Sequence, residues 1–212
     1  DMVSMARPFL ADADFVSKAA TGKAAQIAPC IGCNQACLDH TFGGKLTSCL
    51  VNPRACHETE LMVSETSTPK AIAIVGAGPA GLSAAITAAQ CGHAVTLFDR
   101  ANSIGGQLNV AKQVTGKEEF WGLVDWYEAM LAELNVTVRL QTEATVDTLA
   151  HFDDVIIATG IAPRDPGIPG QDRPEVLSYL DVLRDKKPVG ARVAVIGAGG
   201  IGFDVAEVLV HG

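Results

Sequence analysis

Residues 70–100 decide the fold, and they read KAIAIVGAGPAGLSAAITAAQCGHAVTLFDR. The short, apolar, β-branched run Ala71–Val75 predicts a buried parallel strand, and the small residues up to Gln90 predict a helix. Ala94–Phe98 predicts a second strand, with an acid, Asp99, directly after it. This strand–helix–strand order predicts an α/β fold of the Rossmann type, with helices layered on a parallel sheet.

A G-x-G-x-x-G motif lies between the first predicted strand and the helix, and it is typical of dinucleotide-binding sites. Gly76 is expected to make the tight turn, Gly78 to let the backbone approach a pyrophosphate, and Gly81 to let the helix pack on the strand. The helix N-terminus offers unpaired N–H groups to phosphates, and Asp99 can accept hydrogen bonds from ribose hydroxyls. A glycine-rich turn needed for packing alone is the alternative, and the context favours a bound dinucleotide.

A second glycine motif closes the sequence. Arg192–Gly202 reads RVAVIGAGGIG, which predicts another strand and phosphate loop, and Phe203–Val210 predicts the helix after it. A complete dinucleotide unit needs a further strand with its own acid or base, and none follows here. We therefore expect half of a second site, belonging to a chain that is a piece of something longer, with the choice between NADP and NAD made beyond it.

Four of the six cysteines follow the pattern C-x2-C-x3-C-x11-C, namely Cys30, Cys33, Cys37 and Cys49. Four thiolates can hold either a [4Fe–4S] cluster or a structural zinc ion. Structural zinc usually shows two C-x2-C pairs, and the second pair is missing here. The Asn-Pro dipeptide soon after the last cysteine resembles the Cys-Pro of cluster loops, so the spacing favours iron–sulfur. Cys56 and Cys91 are expected to play no part.

Composition excludes several classes of function. The 212 residues are 48% hydrophobic with 21 glycines, as expected for one or two α/β domains. A net charge of -8 argues against non-specific binding to nucleic acid or to acidic membranes. Neither a signal peptide nor a membrane span is visible, so we expect a cytoplasmic protein whose partners are small molecules. Cysteines in that compartment are read as ligands rather than disulfides.

The remaining segments give weaker predictions. Apolar runs predict a buried strand at 1–5, a buried strand at 154–160 that ends in Ala-Thr-Gly, and strands at 136–140 and 142–146. Helices are predicted within 9–22, where Asp12 or Asp14 could cap, and at 118–134, 147–150 and 176–186. A polar linker, 58–68, is closed by Pro69 and marks a domain boundary.

The chain as a whole resembles the bacterial 2,4-dienoyl-CoA reductases, within the NADH:flavin oxidoreductases of the old-yellow-enzyme group. The resemblance covers nearly the whole chain and rests on MARPFLADADF, CIGCNQACLDH, CLVNP, VGAGPAGL, LFD, IGGQLNVAKQVTGKEEF, ATGIAPR, VLSYLDVLRDKKPVG and IGAGGIGFD. It implies the end of a TIM barrel at 1–28, an iron–sulfur loop and linker at 29–68, an FAD domain at 69–190 and the start of an NAD(P)H domain at 191–212.

The resemblance also implies a set of cofactor contacts. Ala6 and Arg7 match the stretch that meets an FMN phosphate, and the four cysteines match the cluster ligands. FAD contacts are matched by Ala80, Asp99 and Gln107, with Lys117 and Ala144 as weaker candidates. Further candidates flank the FAD motifs: Gly76, Gly78, Pro79, Gly81, Arg100, Gly106, Ala158, Thr159 and Gly160. The NAD(P)H phosphate loop is matched by Gly197, Gly199, Gly200, Ile201 and Gly202.

In such enzymes NADPH reduces FAD, a [4Fe–4S] cluster carries single electrons to FMN, and FMN reduces a 2,4-dienoyl-CoA of fatty acid β-oxidation. The residues that act on the substrate lie in the barrel, so no catalytic residue is expected in this chain. Two alternatives stay open. One is an amine oxidoreductase like trimethylamine dehydrogenase, which binds ADP in place of FAD. The other is a zinc-stapled nucleotide-binding scaffold without redox turnover. Gln107 and the intact second glycine motif favour an FAD and NAD(P)H pair.

Overall fold

The computed structural model describes residues 2–211. The first third of the chain is built from short helices and turns rather than a sheet. These are α1 (Arg7–Ala11), α2 (Phe15–Ala20), a 3-10 turn (Ala24–Gln26), a π-helical turn (Gln35–Asp39) and α3 (His40–Phe42). The cysteine-rich stretch lies in this irregular region.

A four-stranded parallel sheet forms the centre of the structure. Its strands are β1 (Ala71–Val75), β2 (Ala94–Phe98), β3 (Thr137–Arg139) and β4 (Asp154–Ile157), in the spatial order β3-β2-β1-β4. Val75 pairs with Phe98 on one side and with Ile157 on the other, so these three strands end level with one another. The loops that follow β1, β2 and β4 therefore meet at one edge of the sheet, where such folds bind ligands.

Six further helices accompany the sheet: α4 (Pro79–Gln90), α5 (Leu108–Ala111), α6 (Glu119–Glu133), α7 (Val146–Leu149), α8 (Tyr179–Leu183) and α9 (Gly200–His211). Ile74, Leu82 and Leu97 are completely buried between the sheet and its helices. Burial of each such side chain contributes about 1.5–3 kcal/mol. The α/β, Rossmann-like fold predicted from the sequence is confirmed. Within residues 2–211, no helix combines the length and the apolar character needed to cross a bilayer.

A second, smaller apolar cluster attaches α9 to the rest of the molecule. Val110 of α5 and Val114, just after that helix, pack with Val182 and Leu183 of α8 and with Val205 of α9. Beside this cluster, the ammonium group of Lys117 donates to both carboxylate oxygens of Asp204, at 2.8 and 2.7 Å. The helix of the second glycine motif is therefore held by both apolar and ionic contacts.

Two predicted strands are wrong. Residues 2–5 form no strand, and Met2 and Val3 are 93% and 78% exposed. Residues 192–196 form no strand either, and Val193, Val195 and Ile196 are exposed. An apolar run becomes a strand when a neighbouring strand satisfies its N–H and C=O groups, and neither run has one among the described residues. Asp1, where the first predicted domain and the first predicted strand begin, and Gly212, where the last predicted domain ends, lie outside the described residues.

Smaller differences affect four other segments. The helix predicted within 9–22 is two helices, α1 and α2, and the one predicted at 176–186 is limited to α8. No strand forms at 142–146. The strand predicted at 154–160 ends at Ile157. Its side chains are exposed rather than buried, and β4 lies at an edge of the sheet.

Candidate cofactor-binding sites

The first glycine motif adopts the geometry that the sequence predicts for it. Gly76 has φ +111°, and a Cβ atom there would overlap the carbonyl oxygen of Ala158. A Cβ atom on Gly81 would overlap the carbonyl oxygen of Gly76. A Cβ atom on Gly78 would meet nothing within 4 Å. The outer two glycines are therefore required by packing, and the middle one faces open space that can accept a ligand.

The N-terminus of α4 opens onto this space. Gly78 is its N-cap residue and supplies no side-chain hydrogen bond, and Pro79 begins the helix. By contrast, α7 and α8 are capped by the side chains of Thr145 and Ser178. The first N–H groups of a helix lack intrahelical partners and carry a partial positive charge. The start of α4 therefore fits a phosphate group.

Asp99 has a role that the sequence did not indicate. One of its carboxylate oxygens accepts a hydrogen bond from the N–H of Ala77 at 2.6 Å, and the other accepts from Ala101 at 2.7 Å. The acid therefore joins the glycine loop to the loop after β2. A carboxylate oxygen can accept two hydrogen bonds, so each oxygen of Asp99 can also accept one from a ribose hydroxyl.

Two more segments reach the glycine loop. Gly105 donates its N–H to the carbonyl oxygen of Ala77 at 2.8 Å, and a Cβ atom on Gly106 would lie 2.9 Å from the Cα atom of Gly78. Ala158 donates its N–H to the carbonyl oxygen of Val75 at 2.8 Å. The structure thus brings the predicted segments 105–106 and 158–160 to the same edge as Gly76–Gly81.

Other predicted FAD contacts are placed as follows. Pro79 and Ala80 are exposed in the first turn of α4, Arg100 and Gln107 are exposed in the loops that surround it, and Thr159 and Gly160 are exposed after β4. Ala144 is half-buried after β3. Lys117, a weaker candidate, directs its ammonium group to Asp204.

The second glycine motif repeats the turn of the first. Gly197 has φ +114°, and a Cβ atom on Gly202 would overlap the carbonyl oxygen of Gly197. In the first motif, a Cβ atom on Gly81 would overlap the carbonyl oxygen of Gly76 in the same way. Gly199 and Gly200 face open space, and Ile201 is exposed at the start of α9. The phosphate-loop geometry is therefore present although the described residues 192–196, directly before it, form no strand.

All four cysteines of the predicted cluster line one cavity. Each of Cys30, Cys33, Cys37 and Cys49 is half-buried. The remaining lining is Arg7, Leu10, Ile31, Asn34, Ala36 and Leu50. Within residues 2–211, no three or more His, Cys, Asp or Glu side chains lie close enough to hold a single metal ion. The cysteines therefore line a common cavity but do not converge on one metal position. Four thiols in a largely apolar lining fit an iron–sulfur cluster.

Arg7 lies at the cavity as well. Its Nη1 atom donates to the side-chain oxygen of Asn34 at 2.7 Å. Ala6 precedes it as the N-cap residue of α1. The predicted FMN-phosphate residues are therefore next to the cysteine loop, a relationship that the sequence did not indicate.

The cysteine loop and the glycine loop share one apolar core. Ile31, between the first two cysteines, and Val51, after the last one, pack against the cluster that contains Ala77 and Leu82. In addition, Trp126 of α6 donates its indole N–H to the carbonyl oxygen of Gln26 at 3.0 Å. The irregular N-terminal third is thus fastened to the dinucleotide fold.

Comparison with known proteins agrees with this geometry. The sequence model of a family described as pyridine nucleotide-disulphide oxidoreductase matches residues 70–211. The chain is 39% identical over 217 residues to a metal reductase of Desulforamulus reducens, covering 100% of this chain and 32% of that protein. It is 36% identical over 208 residues to a cinnamate reductase of Clostridium sporogenes, covering 97% of this chain and 31% of that protein.

A solved structure is similar over nearly the whole chain. It is 2-naphthoyl-CoA reductase in complex with 2-naphthoyl-CoA, with a TM-score of 0.93 and 32% identity, covering 97% of this chain and 32% of that one. The chain therefore spans about a third of the length of these reductases.

Proposed function

Because the chain belongs to the pyridine nucleotide-disulphide oxidoreductase family, we propose that it is the electron-input part of a flavin and iron–sulfur reductase. The first glycine motif binds FAD, and the second belongs to an NADPH site. Cys30, Cys33, Cys37 and Cys49 hold a [4Fe–4S] cluster.

The observation that carries this proposal is the core shared by the cysteine loop and the glycine loop. Ile31 and Val51 flank the cysteines and pack on the same apolar cluster as Ala77, which lies inside the glycine motif. Electron carriers must be held close together and at a fixed separation. A rigid apolar core between the two loops provides that.

The residues of this chain bind and orient FAD and the iron–sulfur cluster. The free N–H groups of α4 and the open backbone at Gly78 accept the pyrophosphate, and Asp99 accepts from the ribose while it holds the loop in shape. The half-buried cysteines keep the cluster away from water. When bound, FAD supplies hydride acceptance and the cluster supplies single-electron transfer.

The proposed substrate is a carbon–carbon double bond conjugated to a carbonyl group, as in a 2,4-dienoyl-CoA of fatty acid β-oxidation. Support comes from the names of two similar proteins, a cinnamate reductase and a 2-naphthoyl-CoA reductase, because both ligands carry such conjugation. Ala6 and Arg7, in the proposed end of a barrel, would hold the phosphate of FMN, which would supply the electrons for this reduction. The partners are small molecules, and the compartment is the cytoplasm.

Anaerobic purification followed by analysis of flavin, iron and sulfide tests the cofactors. We expect FAD and four irons per chain, with FMN in addition where the barrel is part of the purified protein. Cys33→Ser abolishes the iron and sulfide content, whereas Cys91→Ser, outside the cavity, leaves it unchanged. Stoichiometric zinc in place of iron would contradict the proposal and favour the scaffold alternative.

A substrate panel tests the reaction. The protein is reduced with NADPH under nitrogen, and reoxidation of the flavin is followed after addition of a 2,4-dienoyl-CoA or cinnamate. In a separate arm, trimethylamine is added to the oxidised protein and reduction of the flavin is followed. We expect rapid reoxidation by the dienoyl-CoA. If the flavin is instead reduced by trimethylamine and ignores NADPH, the amine oxidoreductase alternative is correct.

A further inference from the structure

The helix α1 and the residue after it are tied to both ends of the cysteine loop. Asp12, 5% exposed, accepts hydrogen bonds from the N–H of Ala28 at 2.8 Å and from the ammonium group of Lys18 at 2.6 Å. Asn52 donates its side-chain N–H to the carbonyl oxygen of Leu10 at 2.9 Å. Ala28 precedes the first cysteine of the loop and Asn52 follows the last, so α1 fixes where the loop begins and ends.

A third tie reaches the middle of the loop. Asn34, between Cys33 and Cys37, has φ 59°, a left-handed conformation that Asn tolerates better than most residues. In this conformation, the side-chain oxygen of Asn34 accepts a hydrogen bond from the Nη1 atom of Arg7 at 2.7 Å. Asn34 thereby holds the guanidinium group at the cavity.

Arg7 brings a positive charge to a site of negative charge. Among the described residues that line the cavity, it carries the one side-chain charge other than those of the thiolates. A guanidinium group remains charged at all relevant pH values and has five N–H donors, of which Asn34 takes one. The others are available to the cluster sulfurs and to an anion on the opposite side.

We propose that Arg7 sets the reduction potential of the cluster, with Asn34 as the residue that positions it. The inference rests on the cluster assigned under the proposed function. Reduction adds a negative charge to the cluster, and a nearby cation stabilises the reduced form relative to the oxidised one. Net charge and hydrogen bonds to the sulfurs are the factors through which proteins tune such clusters.

A redox titration of the anaerobically purified protein, followed by electron paramagnetic resonance of the cluster, tests this. Arg7→Gln removes the charge and keeps a donor, and we expect a tenfold smaller ratio of reduced to oxidised cluster at a given potential, about 59 mV for a one-electron couple. Arg7→Lys keeps the charge, and we expect its ratio of reduced to oxidised cluster to stay within a factor of two of the parental ratio. Asn34→Gly keeps the left-handed backbone and loses the acceptor, and it shifts the midpoint in the same direction as Arg7→Gln.

Lys45→Gln is the matched control, because Lys45 is an exposed cation of the same loop that does not line the cavity. It leaves the midpoint unchanged. A cluster in Arg7→Gln with parental content and midpoint would overturn the inference and leave the proposed function intact. Absence of iron and sulfide from the parent protein would overturn the proposed function itself. If Arg7→Gln holds no cluster, the midpoint of Arg7→Lys decides, and loss of the cluster from both variants also overturns the inference.

Discussion

The carboxylate of Asp99 accepts a hydrogen bond from the N–H of Ala77 at 2.6 Å, across a sequence separation of 22 residues. Ala77 is fully buried inside the first glycine motif. The acid at the end of β2 therefore shapes the phosphate loop after β1, in addition to the ribose contact proposed for it. The loop and its acid form one unit.

Asp99→Ala tests that unit. The variant leaves the buried N–H of Ala77 without its acceptor and removes the acceptor proposed for the ribose. Hydrogen bonds to charged groups contribute about 1.5–3 kcal/mol each, so FAD affinity is expected to fall about tenfold or more. Calorimetric titration of the flavin-free protein with FAD measures this. Asp125→Ala, on the exposed face of α6, is the control, and parental affinity in Asp99→Ala would refute the role.

Gly81→Ala and Gly122→Ala form a matched pair of helix substitutions. The methyl group at position 81 would overlap the carbonyl oxygen of Gly76, whereas at position 122, within α6, it would meet nothing within 4 Å. We expect Gly81→Ala to lower the free energy of unfolding by about 1–3 kcal/mol or more. Gly122→Ala is expected to raise it by about 0.5–1 kcal/mol. Urea denaturation distinguishes them, and equal effects would show that the close contact is relaxed at no cost.

The cap of α8 provides a pH prediction. A hydrogen bond from Lys187, together with those from Ser178, holds the pKa of Asp181 well below its ordinary value of 3.8. A carboxyl group with a lowered pKa stabilises the fold above its unfolded pKa, and this contribution is lost as the pH falls through the folded value. Lys187→Gln should therefore raise the pKa of Asp181 towards 3.8, so that the capping box opens at a higher pH.

Carbon-13 NMR of the Asp181 carboxyl group during an acid titration measures that shift. Lys186→Gln serves as the control, since Lys186 is the adjacent exposed lysine. Identical titration of Asp181 in the parent and in Lys187→Gln would show that Ser178 alone lowers the pKa.

The Lys117–Asp204 pair joins the loop before α6 to α9, with the two side chains 37% and 26% exposed. A pair this accessible contributes about 0.2–1 kcal/mol. We expect Lys117→Met and Asp204→Asn to speed amide hydrogen exchange in α9 equally, by a factor of up to about five, and the double variant to add nothing further. Additive effects would show that the two side chains act independently.

The elements that the sequence predicted most closely are those with the strongest local patterns. Ala71–Val75, the helix up to Gln90 and Ala94–Phe98 have their predicted bounds. The long amphipathic helix predicted at 118–134 is observed at Glu119–Glu133. In each, apolar spacing and adjacent glycines agree on the same structure.

The features that the sequence did not predict depend on contacts between segments that are distant in sequence. Val193 and Val195 belong to a run as apolar as β1, yet β1 has a strand on each side and that run has none among the described residues. The same limit applies to the sites. Cysteine spacing predicted four ligands of one site, but the approach of Arg7 to Asn34 spans a sequence separation of 27 residues and has no local pattern.

The three ties from α1 also determine which parts of the cysteine loop can vary in length during evolution. They hold Ala28, Asn34 and Asn52, whereas the exposed tip around Phe42–Leu46 makes no hydrogen bond with α1 among the described residues. That tip closes on itself, because Thr41 and Thr47 share a hydrogen bond at 2.7 Å. Natural variants of this protein should therefore accumulate insertions and deletions at the tip, and keep the intervals from residue 28 to Cys37 constant.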